Sequence, residues 1–176
     1  METSRIKLVP PSLDYQPQML EAIRASKHEL SEFLPWVPFA LTEEESINTT
    51  KQAMSDFDSF ESELRYSIIE KETGKLIGAI GLIIRDKEVP YFEIGYWLQT
   101  TSVGAGYVTE AVQLLEVHAF TTLKANRVEI RAAESNTKSR SVAERCGYVL
   151  EGIALNERRL PSGKLSNTVI YSKTTL

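Results

Sequence analysis

The chain has 176 residues, 42% of them hydrophobic and 25% charged, with a net charge of −4. These values fit one ordinary soluble domain with a full core, and the acidic balance argues against a nucleic-acid binder. The single cysteine, Cys146, excludes an internal disulfide and a thiolate metal cluster, no apolar run approaches the roughly 18 residues of a membrane span, and the first residues lack a signal-peptide stretch, so a cytoplasmic protein is expected.

Residues 5–9 read as a short strand closed by Pro10 and Pro11. Residues 17–31 carry helical spacing through Met19, Leu20, Ile23 and Leu30, and residues 33–39 (FLPWVPF) form an aromatic, proline-rich loop. Thr42, with Glu45 three residues on, is a capping box that opens a helix carrying Ile47, Ala53, Met54 and Phe57. This helix turns acidic toward its end, through Asp56 and Asp58. The period then changes to two, giving strands at 64–70, 76–85 and 90–98, the first two joined by a hairpin turn at 71–74. A helix at 108–122, a strand at 127–133, a helix at 136–145 and strands at 148–153 and 165–173 complete the chain. The order predicts a mixed α/β fold in a single domain, 1–176, around a sheet of about seven strands.

The most specific local feature is the strand 91–98 (YFEIGYWL) running through Val103-Gly104-Ala105-Gly106-Tyr107 into a helix. The glycines let a ligand approach the backbone, and the unpaired N–H groups that open the helix attract an anion, most often a phosphate. A dinucleotide fingerprint fails because its third glycine falls at Thr109, and no G-x-x-x-x-G-K-[ST] run exists. Coenzyme A is a third candidate, whose peptide-like pantetheine arm needs backbone partners such as the preceding strand could supply.

Ordered motifs extend this: E-I-G-Y-W-L at 93–98, G-x-G-Y-x-T-E-A at 104–111, N-x-x-S at 136–139 and V-A-E-R-C-G-Y-x-x-E-G at 142–152. Together they resemble the GNAT superfamily of acetyl-CoA-dependent N-acetyltransferases. With F-L-P-W-V-P at 33–38, they resemble in particular the Rim-type ribosomal-protein-alanine N-acetyltransferases. The resemblance implies a mostly antiparallel sheet, splayed between strands 91–98 and 127–133, with helices on both faces. It implies acetyl-CoA as co-substrate and no metal. Cofactor contacts would come from Trp97, Leu98, Val103, Gly104, Ala105, Gly106, Tyr107, Val108, Thr109, Asn136 and Ser139. The family pattern Q/R-x-x-G-x-G/A is departed from at Val103 and Val108, which removes a side chain but not the backbone amides.

The implied reaction is transfer of acetyl to a primary amine by direct attack in a ternary complex. The implied acceptor is the N-terminal alanine of a ribosomal protein. A small amine is the competing acceptor, and a non-catalytic acyl-CoA-binding regulatory domain is a third reading. An α-amine of pKa about 8 is roughly one-fifth neutral near pH 7.4, so a weak base suffices. Glu93 and Glu157 are the candidates. The tyrosine acid of many relatives would stand seven residues after Asn136, where this chain has Ala143, which leaves Ser139 as the substitute. Phe33, Trp36 and Glu93 would line the acceptor site. His28 and His118 are isolated and give no metal-ligand spacing. Both a monomer and a homodimer are compatible with the sequence.

Overall fold

Alternation along the strands sorts side chains onto two faces, and the helices follow. The computed structural model describes residues 1–176. Its strands are β1 (Ile6–Val9), β2 (Glu63–Glu70), β3 (Leu76–Asp86), β4 (Tyr91–Leu98), β5 (Arg127–Ala133), β6 (Val149–Arg159) and β7 (Leu165–Lys173). They form one sheet in the order β1-β2-β3-β4-β5-β7-β6, antiparallel throughout except for the parallel pair β4 and β5. The helices are α1 (Gln16–Ala25), α2 (Lys27–Leu30), α3 (Glu43–Ser59), α4 (Tyr107–Thr121) and α5 (Thr137–Arg145). No helix is long and apolar enough to cross a membrane.

On β4, Phe92, Ile94 and Leu98 join Ala111, Val112 and Leu115 of α4 in a core of 24 buried residues. Each fully buried large side chain there contributes about 1.5–3 kcal/mol. Trp97 points to the opposite face, where it packs with Met19 and Ile23 of α1 and with Val37. The mixed α/β fold with helices on both faces is as the sequence implied. The Thr42–Glu45 capping box is also present, with Glu45 N–H donating to Thr42 Oγ1 at 3.2 Å and Thr42 N–H to Glu45 at 3.0 Å.

Two expected elements differ. The helix read at 17–31 breaks at Ser26, which is completely buried and accepts the Thr100 N–H on Oγ at 3.0 Å. That tie to the loop after β4 replaces helix continuity. The strand read at 148–153 runs on to Arg159. As a sheet edge, β6 is mostly exposed and lacks the alternation that marks a half-buried strand.

The expected splay is present. β4 and β5 pair only at Tyr91/Arg127, Phe92/Val128 and Glu93/Glu129, and they diverge from Ile94 onward. The closed end is clamped by Arg127, which donates to Glu129 and Glu151 and lies 5.5 Å from the Tyr91 ring centroid. Glu93 and Glu129 are register neighbours of like charge, and each is neutralised by its own arginine, Arg85 and Arg127.

Gly78 of β3 faces the other flank of β4. A Cβ there would stand 2.3 Å from the Trp97 carbonyl oxygen and 3.0 Å from Leu98 Cα. Both are backbone atoms and cannot rotate away. Gly78→Ala is therefore expected to cost about 1–3 kcal/mol, read as a lower denaturation midpoint. An unchanged midpoint would mean that β3 and β4 part without cost.

Candidate active site

The turn between β4 and α4 is built for an anion. Gly104 and Gly106 sit at φ +89° and +85°, a region that residues with a Cβ rarely adopt. The first intrahelical bond of α4 runs from Glu110 N–H to the Gly106 carbonyl at 3.1 Å. The amides of Gly104, Ala105, Gly106, Tyr107, Val108 and Thr109 therefore find no acceptor within the protein. They lie at the positive end of the α4 dipole, a setting that suits a phosphate group.

Side chains distant in sequence fix this turn. Arg5 Nε donates to Glu110 at 2.7 Å and its Nη1 to the Ala105 carbonyl at 3.0 Å, with the guanidinium 4.9 Å from the Tyr107 ring centroid. Thr3 Oγ1 donates to the other Glu110 oxygen at 2.8 Å, and the Tyr107 hydroxyl donates to Glu70. Neither Arg5 nor Glu110 was legible as a site residue, because the contact joins positions 105 residues apart.

Register decides which strand groups face the gap. Trp97 pairs with Ala79, and Gln99 N–H donates to the Ile77 carbonyl at 2.7 Å. By the two-residue alternation, the main chain of Trp97 points into β3, while that of Ile94, Tyr96 and Leu98 points into the gap. This corrects the expectation for Trp97 and leaves that for Leu98. What Trp97 presents is its indole, 6.1 Å from the Trp36 ring centroid at an interplanar angle of 58°.

A cavity of about 870 Å³ crosses the splay. Phe33, Trp36 and Phe39 stand on one side, Glu93 and Gly95 on the floor, Tyr96 and Ser139 at the gap, and Glu157 and Arg158 on the far wall. It thus brings together Phe33, Trp36, Glu93, Ser139 and Glu157. Asn136 caps α5 instead, its Oδ1 accepting the Ser139 N–H at 3.1 Å, so only its amide NH₂ remains for a ligand. Val103 is extended and half exposed ahead of the turn, and Val108 packs on the core.

The two carboxylates differ. Glu93 gives one oxygen, Oε2, to Arg85 Nε at 3.0 Å and keeps Oε1 without a donor. Glu157 has both oxygens engaged, by Arg131 at 3.0 Å and by the Thr168 hydroxyl. The Thr168 hydrogen bond, helped by the charge of Arg131, holds the Glu157 carboxyl below the usual carboxylate range, which makes it a poor proton acceptor.

Ala143 is fully buried in the core, so no tyrosine comes from α5. One comes from β4. The Tyr96 hydroxyl lies 2.9 Å from Ser139 Oγ and 3.1 Å from the Ser139 carbonyl oxygen. Burial raises the Tyr96 pKa far above its ordinary value, so it keeps its proton. The sequence held one signal for this, a polar aromatic on the face of β4 otherwise occupied by Ile94 and Leu98. Tyr148 packs in the core. Cys146 is buried too, its thiol pushed up to about 11 chiefly by burial, which leaves it protonated and unreactive. No group of three or more His, Cys, Asp or Glu side chains is placed to hold a metal ion.

Residues 5–149 match the Acetyltransferase (GNAT) domain family. The chain is 31% identical over 147 residues to the Uncharacterized N-acetyltransferase p20 of Bacillus licheniformis, covering 84% of this chain and 81% of that protein. It is 28% identical over 134 residues to the Ribosomal-protein-serine acetyltransferase of Escherichia coli (strain K12), covering 76% and 73% of the two chains. Among solved structures, the Microcin C7 self immunity acetyltransferase MccE, in complex with acetyl-CoA and AMP, superposes with a TM-score of 0.90 at 28% identity, covering 98% of this chain and 94% of that one. The amide-lined turn fits the diphosphate of coenzyme A, and the parting of β4 from β5 fits its arm. With a family match over most of its length, the chain belongs to the GNAT acetyltransferases and takes acetyl-CoA as its co-substrate.

Proposed function

We propose that the chain acetylates the α-amino group of a protein N-terminus, with a ribosomal-protein N-terminal alanine as the acceptor. The observation that carries this is the breadth of the cavity on the acceptor side, about 870 Å³ between the exposed Phe39 and β6, which accommodates a peptide end. The similarity to the E. coli ribosomal-protein-serine acetyltransferase supports the same acceptor class.

In this reading the amides of residues 104–109 hold the diphosphate, and the main chain of Tyr96 and Leu98 pairs with the pantetheine arm, assisted by the Asn136 amide. The acceptor amine enters past Phe33 and Trp36. Glu93, through its uncommitted oxygen, takes the ammonium proton directly or through water, and the neutral amine attacks the thioester carbon. Glu157, with both oxygens engaged, shapes the far wall. As the C–S bond breaks, the attacking nitrogen gives up its second proton and the departing thiolate gains one, with the Ser139 hydroxyl relaying it: Ser139 donates to sulfur as it takes up the proton shed by nitrogen, and a thiolate pKa of about 8.5 makes modest help enough.

A nucleotide-linked amine is the competing acceptor, favoured by the AMP in the MccE complex and by the Trp36–Trp97 pair, which could face a planar base. Thiol release from acetyl-CoA decides between them, measured against Ala-first and Ser-first peptides, spermidine, an aminoglycoside, free amino acids and an aminoacyl nucleotide. Turnover confined to Ala-first peptides is expected. Turnover confined to a small amine or to the nucleotide would overturn the acceptor assignment.

A further inference from the structure

The cavity wall contains one cation whose terminal nitrogens have no acceptor. Arg65 forks onto Glu63, Arg131 reaches Glu129 and Glu157, and Arg159 donates to the Gly163 carbonyl at 2.6 Å. Arg158 donates only through Nε, to Thr168 Oγ1 at 2.9 Å, which leaves both Nη groups unengaged. It is half-buried and lines the cavity.

Its placement follows from the irregularity of β6. Register runs from Ala154/Thr168 to Arg158/Ser166, so β6 advances four positions while β7 advances two. Asn156, at φ +51°, takes up the excess. As a result the successive residues Glu157 and Arg158, which would point to opposite faces of a regular strand, both reach the Thr168 hydroxyl. Thr168 accepts from Arg158 Nε and donates to Glu157, which fixes the guanidinium plane from behind. Arg158 and Glu93 line the same cavity. Burial lowers the pKa of Arg158, opposed by the charges of Glu157 and Glu93.

We infer that the outward fork of Arg158 binds an oxyanion carried by the acceptor, so that the preferred substrate is an amine with a carboxylate or phosphate close behind it. The chemistry is that of a guanidinium offering two parallel N–H donors to a planar or tetrahedral anion. Glu93 then faces the ammonium end and Arg158 the anionic end. This rests on the peptide-end reading above, for which it specifies an acidic side chain in the first residues after the acetylated one.

The test uses matched acceptors and takes ratios within one enzyme preparation, so that any loss of folded protein cancels. The peptides begin Ala-Asp or Ala-Asn, with a second pair carrying phosphoserine or serine at the second position. O-phosphoethanolamine and ethanolamine form the small-amine pair. The parent protein is expected to favour the anionic member by about 10- to 100-fold in kcat/KM, the range of a charge-assisted hydrogen bond. Arg158→Gln should bring the ratio near unity, and Arg158→Lys, a point charge without the fork, should restore part of it. Peptides acetylated without charge preference, or with a preference that survives Arg158→Gln, would overturn the inference and leave the peptide reading standing. Silent peptides, with an Arg158-dependent preference for O-phosphoethanolamine, would do the reverse. Silence from every acceptor would overturn both.

Discussion

Gly106→Val is expected to weaken coenzyme A binding by about 100-fold, measured by calorimetry on the purified protein. Gly106 holds φ +85° as the residue that opens α4. A β-branched residue is strained there by at least about 1–2 kcal/mol. Its Cβ would also come within 3.4 Å of Arg5 Nη2, part of the brace that holds the turn. Relief of the backbone strain, with Arg5 displaced to admit the larger side chain, reorients the amides of Ala105 to Val108. Loss of one or two hydrogen bonds to a charged oxygen, at about 1.5–3 kcal/mol each, accounts for the expected factor. Gly104→Ala is the contrast: φ is +89° but nothing lies within 4 Å of the added Cβ, so only backbone strain remains and the loss should be nearer tenfold. Equal affinity in the Gly106 variant and the parent would refute the assignment of this turn to the diphosphate.

The second large effect is expected at Ser139 and Tyr96. Ser139→Ala should lower kcat by about 100-fold or more with little change in coenzyme A affinity, the range of a single positioned acid. Tyr96 has one proton to give and two acceptors, Ser139 Oγ at 2.9 Å and the Ser139 carbonyl at 3.1 Å. When it donates to Oγ, the serine proton is released to point elsewhere, toward the gap. Tyr96→Phe removes that direction while conserving the ring, so kcat should fall less than in Ser139→Ala and the thermal midpoint should stay close. If the two act as one unit, the double variant is no slower than Ser139→Ala alone. Additive losses would show that they act separately.

What was legible in the sequence was local. The Thr42–Glu45 box and the Gly104–Gly106 turn each close within a few residues, and each is present in the fold. The seven strands were readable except where exposure erased the period, as along β6 beyond Ile153. What was hidden depends on contacts between distant segments. Ser26 ends α1 because of Thr100, the role of Tyr96 is set by Ser139 on α5, and Arg5 reaches Glu110 across the sheet. Arg158 was the subtlest, because its direction depends on where Asn156 absorbs the register shift. A straight count along the chain carries no such information.

The seam between β4 and β5 is short, three residue pairs at one end of two strands that then diverge. Mechanically it is a fulcrum. The five residues of β4 beyond it, at about 3.3 Å each, make an arm of about 16 Å, so a rotation of about 5° at the seam displaces the far end by about 1.4 Å. A misplacement of about 1 Å between reacting groups costs on the order of 100-fold in rate. The Arg127–Glu129–Tyr91 clamp, on the side of the seam away from the phosphate turn, therefore sets the tolerance to which the two halves of the sheet are aligned. Accuracy in the reaction thus depends on a clamp, Arg127 with Glu129 and Tyr91, that stands apart from both substrates, while its seam neighbour Glu93 meets the acceptor amine.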